Sequence, residues 1–314
     1  MPELSIIVPC YNESKVVGTC YRETTLVLEE LGKSYELIFV DDGSGDDTLR
    51  LIREIAANDR HVGLVSFSRN FGKEAALYAG LKAARGEYIA VMDADMQDPP
   101  SMLPAMYAVL TAEGYDSAAT RRVTRAGEPP IRSFFARQFY KIIRSMSRVD
   151  IVDGARDFRM MTRQMVDAVL SLQESHRFSK GIFGWVGFKT KWLEYENTKR
   201  AAGETKWSFW KLFKYAVDGI VSFTTLPLRF ASIMGFAISF FAFVYLIVVL
   251  IRTLTLGIVV PGYASLLVTI LLLGGIQLIS VGILGEYIAR TYMESKHRPL
   301  FIVKEQTSPR PDDK

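Results

Sequence analysis

Cysteine is nearly absent from this chain: Cys10 and Cys20 are the only two in 314 residues. Two cysteines build no disulfide framework, and their spacing matches no metal-site pattern, so they read as free core thiols of a reducing compartment. A secretory leader is lacking too. Met1 runs almost directly into a strand-like segment without a basic n-region, so the N-terminal domain is expected to stay in the cytoplasm. Internal repeats and low-complexity segments are absent. Charge is almost missing from Phe230 to Gly285, although the first two thirds of the chain mix charged and apolar residues as a soluble protein does. The formal net charge of +4 therefore says less than where the basic residues lie.

What is present begins with an alternation of strand and helix signals. Short apolar runs at Leu4–Val8, Tyr35–Val40, Val62–Phe67 and Tyr88–Met92 alternate with amphipathic stretches at Lys15–Leu31, Asp47–Asn58 and Gly72–Ala84. Continuous apolar strands between such helices predict an α/β domain with a mostly parallel sheet covered on both faces. Ligands of such sheets bind beyond the carboxyl ends of the strands. Three runs end there in Pro9–Glu13, Asp41–Ser44 and Asp93–Asp98.

The low-charge region predicts two membrane spans. About 22 uncharged residues separate Arg229 from Arg252, enough to cross a hydrocarbon core. A second span fits Tyr263 to Leu284, after Pro261-Gly262. The joining loop holds only Arg252, whereas Lys206, Lys211, Lys214 and Arg229 precede the spans and Arg290, Lys296 and Arg298 follow them, which puts both ends in the cytoplasm. Trp207, Phe209, Trp210, Phe213 and Tyr215, interleaved with lysines, suggest interfacial helices before the first span.

Asp93-Ala-Asp95-Met-Gln97-Asp98 is the sharpest motif. Two carboxylates two residues apart after a buried strand can converge on a hard divalent cation, Mg²⁺ or Mn²⁺, that also bridges a diphosphate. The plainer reading is a solvated turn that starts the next helix at Asp98-Pro99-Pro100. Asp41-Asp42-Gly43-Ser44 can accept hydrogen bonds from a nucleotide's base or ribose, or can be an ordinary strand-to-helix turn. From Arg121 to Arg148 runs a basic segment whose only acid is Glu128; arginines there suit crowded phosphates, or else lipid headgroups. No nucleic-acid module is recognised. His176-Arg177-Phe178 is a further candidate, although a lone histidine is more often structural.

Taken together, Ser5–Glu13, Val40–Ser44, Ser68-Arg-Asn-Phe-Gly-Lys73, Asp93–Asp98 and Arg200-Ala-Ala-Gly-Glu-Thr-Lys-Trp207 resemble family 2 glycosyltransferases of the GT-A fold, which is Rossmann-like. The chain is similar to the branch of polyprenyl-phosphate glycosyltransferases, bactoprenol glucosyltransferases in particular, and also to dolichol-phosphate mannose synthases. The resemblance implies four segments: a catalytic domain over 1–205, interfacial helices over 206–228, a two-helix transmembrane domain over 229–290 and a cytoplasmic tail over 291–314. It also implies that Pro9, Tyr11, Glu13 and Asp41 line a nucleotide pocket with Asp42 beside it, that Asp93 touches its nucleotide side, and that Asp95 and Gln97 hold the metal. Arg200, Gly203, Thr205 and Lys206 would belong to a loop closing on diphosphate and acceptor phosphate, with Thr205 where many relatives have Ser. Arg122, Arg132 and Ser133 match acceptor-phosphate positions, Arg121 and Arg125 less well.

Asp157 aligns with an acidic position that acts as a base or orients the acceptor. A phosphate monoester is already mostly dianionic at neutral pH, so a strong base is not required. The implied reaction is inverting transfer of a hexose, UDP-glucose being the best donor, to undecaprenyl phosphate on the cytoplasmic face of a bacterial inner membrane. A processive polysaccharide synthase is disfavoured, because Gln173-Glu-Ser-His-Arg177 does not match Gln-x-x-Arg-Trp and only two spans follow. Intact acidic and basic motifs disfavour a non-catalytic scaffold. Gly274-Gly275 and Gly282 would permit close helix packing in a homo-oligomer.

Overall fold

The computed structural model describes residues 1–122, 155–175, 177–195, 225–256 and 262–309. They fall into two compact units, Met1–Ala216 with Pro299–Lys314, and Val217–Arg298.

The first unit is built on a sheet of eight described strands: β1 Leu4–Cys10, β2 Tyr35–Asp41, β3 Val62–Phe67, β4 Tyr88–Val91, β5 Ser117–Arg122, β6 Ala155–Thr162, β7 Thr190–Tyr195 and β8 Val303–Thr307. Their spatial order is β7-β5-β6-β4-β1-β2-β3-β8. The unit also contains helices α1 Val17–Leu31, α2 Thr48–Asn58, α3 Lys73–Ala83, α4 Leu103–Ala112, α5 Arg163–Ser171 and α6 Ser179–Trp185. β1 lies at the centre, and Leu4, Ile6, Ile7 and Val8 are fully buried, as a strand covered on both faces requires. α3 lies close against the sheet at Gly80, where a Cβ would meet Ile7 Cγ2 at 2.2 Å; only glycine lets the helix come so near.

The sheet is mixed, with four parallel and three antiparallel pairings, so the mostly parallel, Rossmann-like sheet expected is met only in part. β1 to β4 are mutually parallel and β5 is parallel to β7, but β6 runs against both β4 and β5, and β8 runs against β3. Residues 291–314, expected from sequence to be a tail, include the end of a helix and the edge strand β8. Phe301 stacks on Phe67 with ring centroids 4.9 Å apart, and Arg53 Nε donates to Glu305 Oε2 at 3.0 Å.

The second unit contains α7 Leu226–Leu256 and α8 Tyr263–Ser295. Each holds a stretch long and apolar enough to cross a membrane, Pro227–Val249 and Leu272–Ser295. The second stretch lies nearer the carboxyl end than the Tyr263–Leu284 span expected, within the same helix. Phe236, Leu254 and Leu278 are each at least three-quarters exposed, so these helices need an apolar surrounding. Membrane association follows.

Candidate active site

The carboxyl ends of β1 to β4 carry loops that are fastened to one another. Asn12, with φ of 57°, donates its backbone N–H to Ser44 Oγ at 3.0 Å, and its Oδ1 accepts from Gly45 N–H at 2.8 Å. Glu13 N–H donates to Thr48 Oγ1 at 2.8 Å. Gly43 has φ of 67°, and a Cβ there would lie 2.4 Å from the Arg69 carbonyl carbon; the loops after β2 and β3 touch through bare backbone. Pro9 pairs in register with Val40 and Cys10 with Asp41, which places the first two loops side by side. Tyr11 is half-exposed at this end.

Asp41 and Asp42 are buried and have structural duties. Asp41 accepts from Ser66 Oγ at 2.9 Å and from Ser44 N–H at 3.2 Å. Asp42 accepts from Phe71 N–H at 2.6 Å and Gly72 N–H at 3.0 Å. Burial raises the Asp42 carboxyl from its ordinary pKa, against the opposing pull of those two N–H groups. Its task in this structure is to hold the loop that begins α3.

The reversed direction of β6 decides what meets the end of β4. The β4–β6 register pairs Val91 with Arg159, so two residues further on Asp157 faces Asp93. The Lys73 ammonium, at the start of α3, lies 2.7 Å from Asp93 Oδ1 and 2.6 Å from Asp157 Oδ2. Lys180 lies 3.9 Å from Asp157 and also donates to the Ala155 carbonyl at 3.0 Å. Burial pushes the Asp157 carboxyl upward, but Lys73 and then Lys180 outweigh it and hold the group well below the usual carboxylate range. For Lys73 burial acts downward, and the two carboxylates more than offset it, so its pKa is raised. Beside them Glu74 accepts from Ser179 N–H at 2.9 Å, and burial raises its pKa. Arg159 is buried with its guanidinium 3.9 Å over the Phe183 ring, its pKa lowered by burial to about 10.

Arg156, the neighbour of Asp157, fixes the motif loop. Its Nε donates to Asp98 Oδ1 at 3.2 Å and its Nη2 to Gln97 Oε1 at 2.9 Å. The Tyr195 hydroxyl also donates to Asp98. Asp98 is almost fully buried, and that burial raises its pKa despite Arg156 and Tyr195. Within the loop, Gln97 N–H donates to Asp95 Oδ1 at 3.2 Å, and Met96 takes φ of 57°. A side chain in that left-handed region costs about 1 kcal/mol or more and persists where surrounding contacts over-determine it. The clamp on Asp98 is such a contact.

Of the residues expected from sequence, the structure gathers Pro9, Tyr11, Glu13, Asp41, Asp42, Asp93, Asp95, Gln97 and Asp157 at this end of the sheet. Arg122 ends β5 opposite Tyr195, while Arg121 pairs with Glu194. Arg125, Arg132, Ser133, His176, Arg200, Gly203, Thr205 and Lys206 lie outside the described residues. Lys73, Lys180, Arg156 and Tyr195 had no assigned role. Only Lys73 carried a signal, as the end of the Ser68–Lys73 motif.

Among the described residues no three His, Cys, Asp or Glu side chains converge as a closed metal cage. The oxygens of Asp95 and Gln97 are nevertheless the donor type that Mg²⁺ or Mn²⁺ takes, and such ions complete their shell with water and substrate phosphate. The residues fit an open site of that kind.

Comparison with known proteins agrees with the motifs. The model of glycosyl transferase family 2 matches residues 5–170. The prophage bactoprenol glucosyl transferase homolog of Escherichia coli K12 is 42% identical over 304 residues, covering 96% of this chain and 98% of its own. The bactoprenol glucosyl transferase of Shigella phage SfV is 40% identical over 304 residues, covering 97% and 99%. The uncharacterized glycosyltransferase sll0501 of Synechocystis is 43% identical over 303 residues, covering 96% and 95%.

Proposed function

The chain belongs to glycosyl transferase family 2, and we propose that it moves glucose from UDP-glucose to undecaprenyl phosphate at the cytoplasmic face of a bacterial inner membrane. The observation that carries this reading is the nearly end-to-end match, spans included, to relatives named bactoprenol glucosyl transferases. In this reading the first unit is a GT-A catalytic domain over 1–205, residues 206–228 are interfacial, 229–290 cross the membrane twice, and both termini are cytoplasmic. A homo-oligomer is part of the proposal, and nucleic acid is not a partner.

An oxygen of the acceptor phosphate attacks the anomeric carbon, the bond to UDP breaks on the opposite face, and the configuration inverts. Asp41, Glu13, Pro9 and Tyr11 receive the nucleoside, and Asp42 keeps the adjoining loop in place. Asp93 stands on the diphosphate side. Asp95 and Gln97 would hold the divalent cation, which when bound neutralises charge on the diphosphate. Arg200 and Lys206 offset charge on the same group, and Arg122, Arg132, Ser133 and Thr205 take the acceptor phosphate.

Asp157 orients the acceptor rather than removing a proton. Its carboxyl is held ionised far below neutral pH by Lys73 and Lys180 against burial, which makes it a weak base. A phosphate monoester with a second pKa near 6 needs no base at neutral pH.

The test is incubation of purified protein with polyprenyl phosphate, Mg²⁺ or Mn²⁺, and a panel of labelled nucleotide-sugars. Label from UDP-glucose should enter the organic phase. No transfer from any donor overturns the enzyme reading, and transfer from another donor alone overturns the choice of glucose.

A further inference from the structure

Lys73 reaches residues from two other elements. Asp42 at the end of β2 fixes the N–H groups of Phe71 and Gly72, so the first residue of α3 has a defined position. From there its ammonium contacts Asp93, just beyond β4, and Asp157, on the reversed strand β6. The next residue, Glu74, accepts from the backbone and hydroxyl of Ser179, and Lys180 beside it approaches Asp157 from the other side. The starts of α3 and α6 thus interlock around one carboxylate.

We propose that Lys73 is a positioning residue for transfer, one ammonium that fixes the donor-side carboxylate Asp93 relative to the acceptor-side carboxylate Asp157. This rests on the reading of the site as a glucosyltransferase. The chemical reason is spacing. Nucleophile and anomeric carbon must meet in line, and a misplacement of about 1 Å costs on the order of 100-fold in rate. Two carboxylates facing each other without a cation between them would repel and drift apart. The arrangement also gives the Ser68–Lys73 motif a function: its end delivers this ammonium.

The experiment uses the full-length protein with UDP-glucose and polyprenyl phosphate, measuring kcat and KM separately. In Lys73→Gln, kcat falls on the order of 100-fold while the KM for UDP-glucose is unchanged. Lys73→Arg, which keeps a cation able to reach both carboxylates, recovers most of the lost rate. The double variant Lys73→Gln/Asp157→Asn is no slower than the worse single one, because the lysine acts through the aspartate. A raised KM with unchanged kcat overturns the proposal in favour of direct donor binding, and multiplicative losses in the double variant overturn it in favour of independent roles. If Lys73→Gln fails to fold, Lys73→Met, an uncharged side chain of similar length, decides by the same split: lowered kcat at unchanged KM supports positioning, and unchanged kcat or raised KM alone overturns it. Absence of transfer by the unmodified protein would instead sink the glucosyltransferase reading.

Discussion

The two flanks of the sheet are built differently. β1 to β4 are parallel, their carboxyl-end loops are laced together by hydrogen bonds from backbone N–H groups to side-chain hydroxyls, and their motifs can be read one after another along the chain. The β5–β6–β7 flank contains a reversed strand and reaches the same end of the sheet through ion pairs: Asp157 with Lys73, and Arg156 with Asp98. The difference teaches a division of labour. Under the proposed function, the parallel flank supplies groups for nucleotide and metal, and the mixed flank supplies position.

The sharpest break of that comparison is Asp95→Asn. It should lower metal-dependent transfer on the order of 1000-fold while the protein still enters membranes, measured by product formation and membrane fractionation. Unaffected transfer would show that the metal binds elsewhere. Asp157→Asn, on the positioning flank, should cost on the order of 100-fold in kcat with little change in the KM for UDP-glucose. A change in donor KM alone would move Asp157 to the donor side.

Smaller effects test the joints. Arg156→Ala leaves the buried Asp98 carboxylate without its cation and should destabilise the catalytic unit by about 3 kcal/mol, read as a lower denaturation midpoint. A change below about 1 kcal/mol would mean Tyr195 alone holds the loop. Arg53→Ala, which breaks an exposed pair with Glu305 of β8, should cost no more than about 1 kcal/mol. A larger loss would show that β8 is held to the sheet chiefly by that pair rather than by the stacking of Phe301 on Phe67.

Most of the parallel flank was legible in the sequence, because its signals are local. Val62–Phe67 is a strand with the bounds expected, and the other three strands and three helices agree to within two residues. Buried apolar runs and amphipathic periods are written into neighbouring residues. The mixed flank was not legible. Nothing in Ala155–Thr162 announces that it runs against β4, since strand direction is set by long-range pairing. The Asp98–Tyr195 contact spans 97 positions and the Lys73–Asp157 contact 84. β8 escaped for another reason: Val-Lys-Glu-Gln-Thr is polar and mostly exposed, and gives no hydrophobic signal. Asp42 shows why side-chain partners are hard to read, because an acidic pair after a strand looks alike whether it awaits a ligand or fastens a loop.

The claim that the reversed strand contributes position and not a proton acceptor meets its most direct test in the pH dependence of kcat/KM. The folded-state pKa of Asp157 is lowered, so the ionised form, and the stability it brings, is present above the unfolded carboxylate range and lost only as pH falls below it. Between pH 5 and pH 8 (roughly the range in which a phosphate monoester completes its ionisation) Asp157 adds no inflection. The account predicts a single rise near pH 6, set by the acceptor phosphate, in both the unmodified protein and Asp157→Asn, the variant being slower throughout. If the rise vanishes or moves in Asp157→Asn, Asp157 is the base and the account is contradicted.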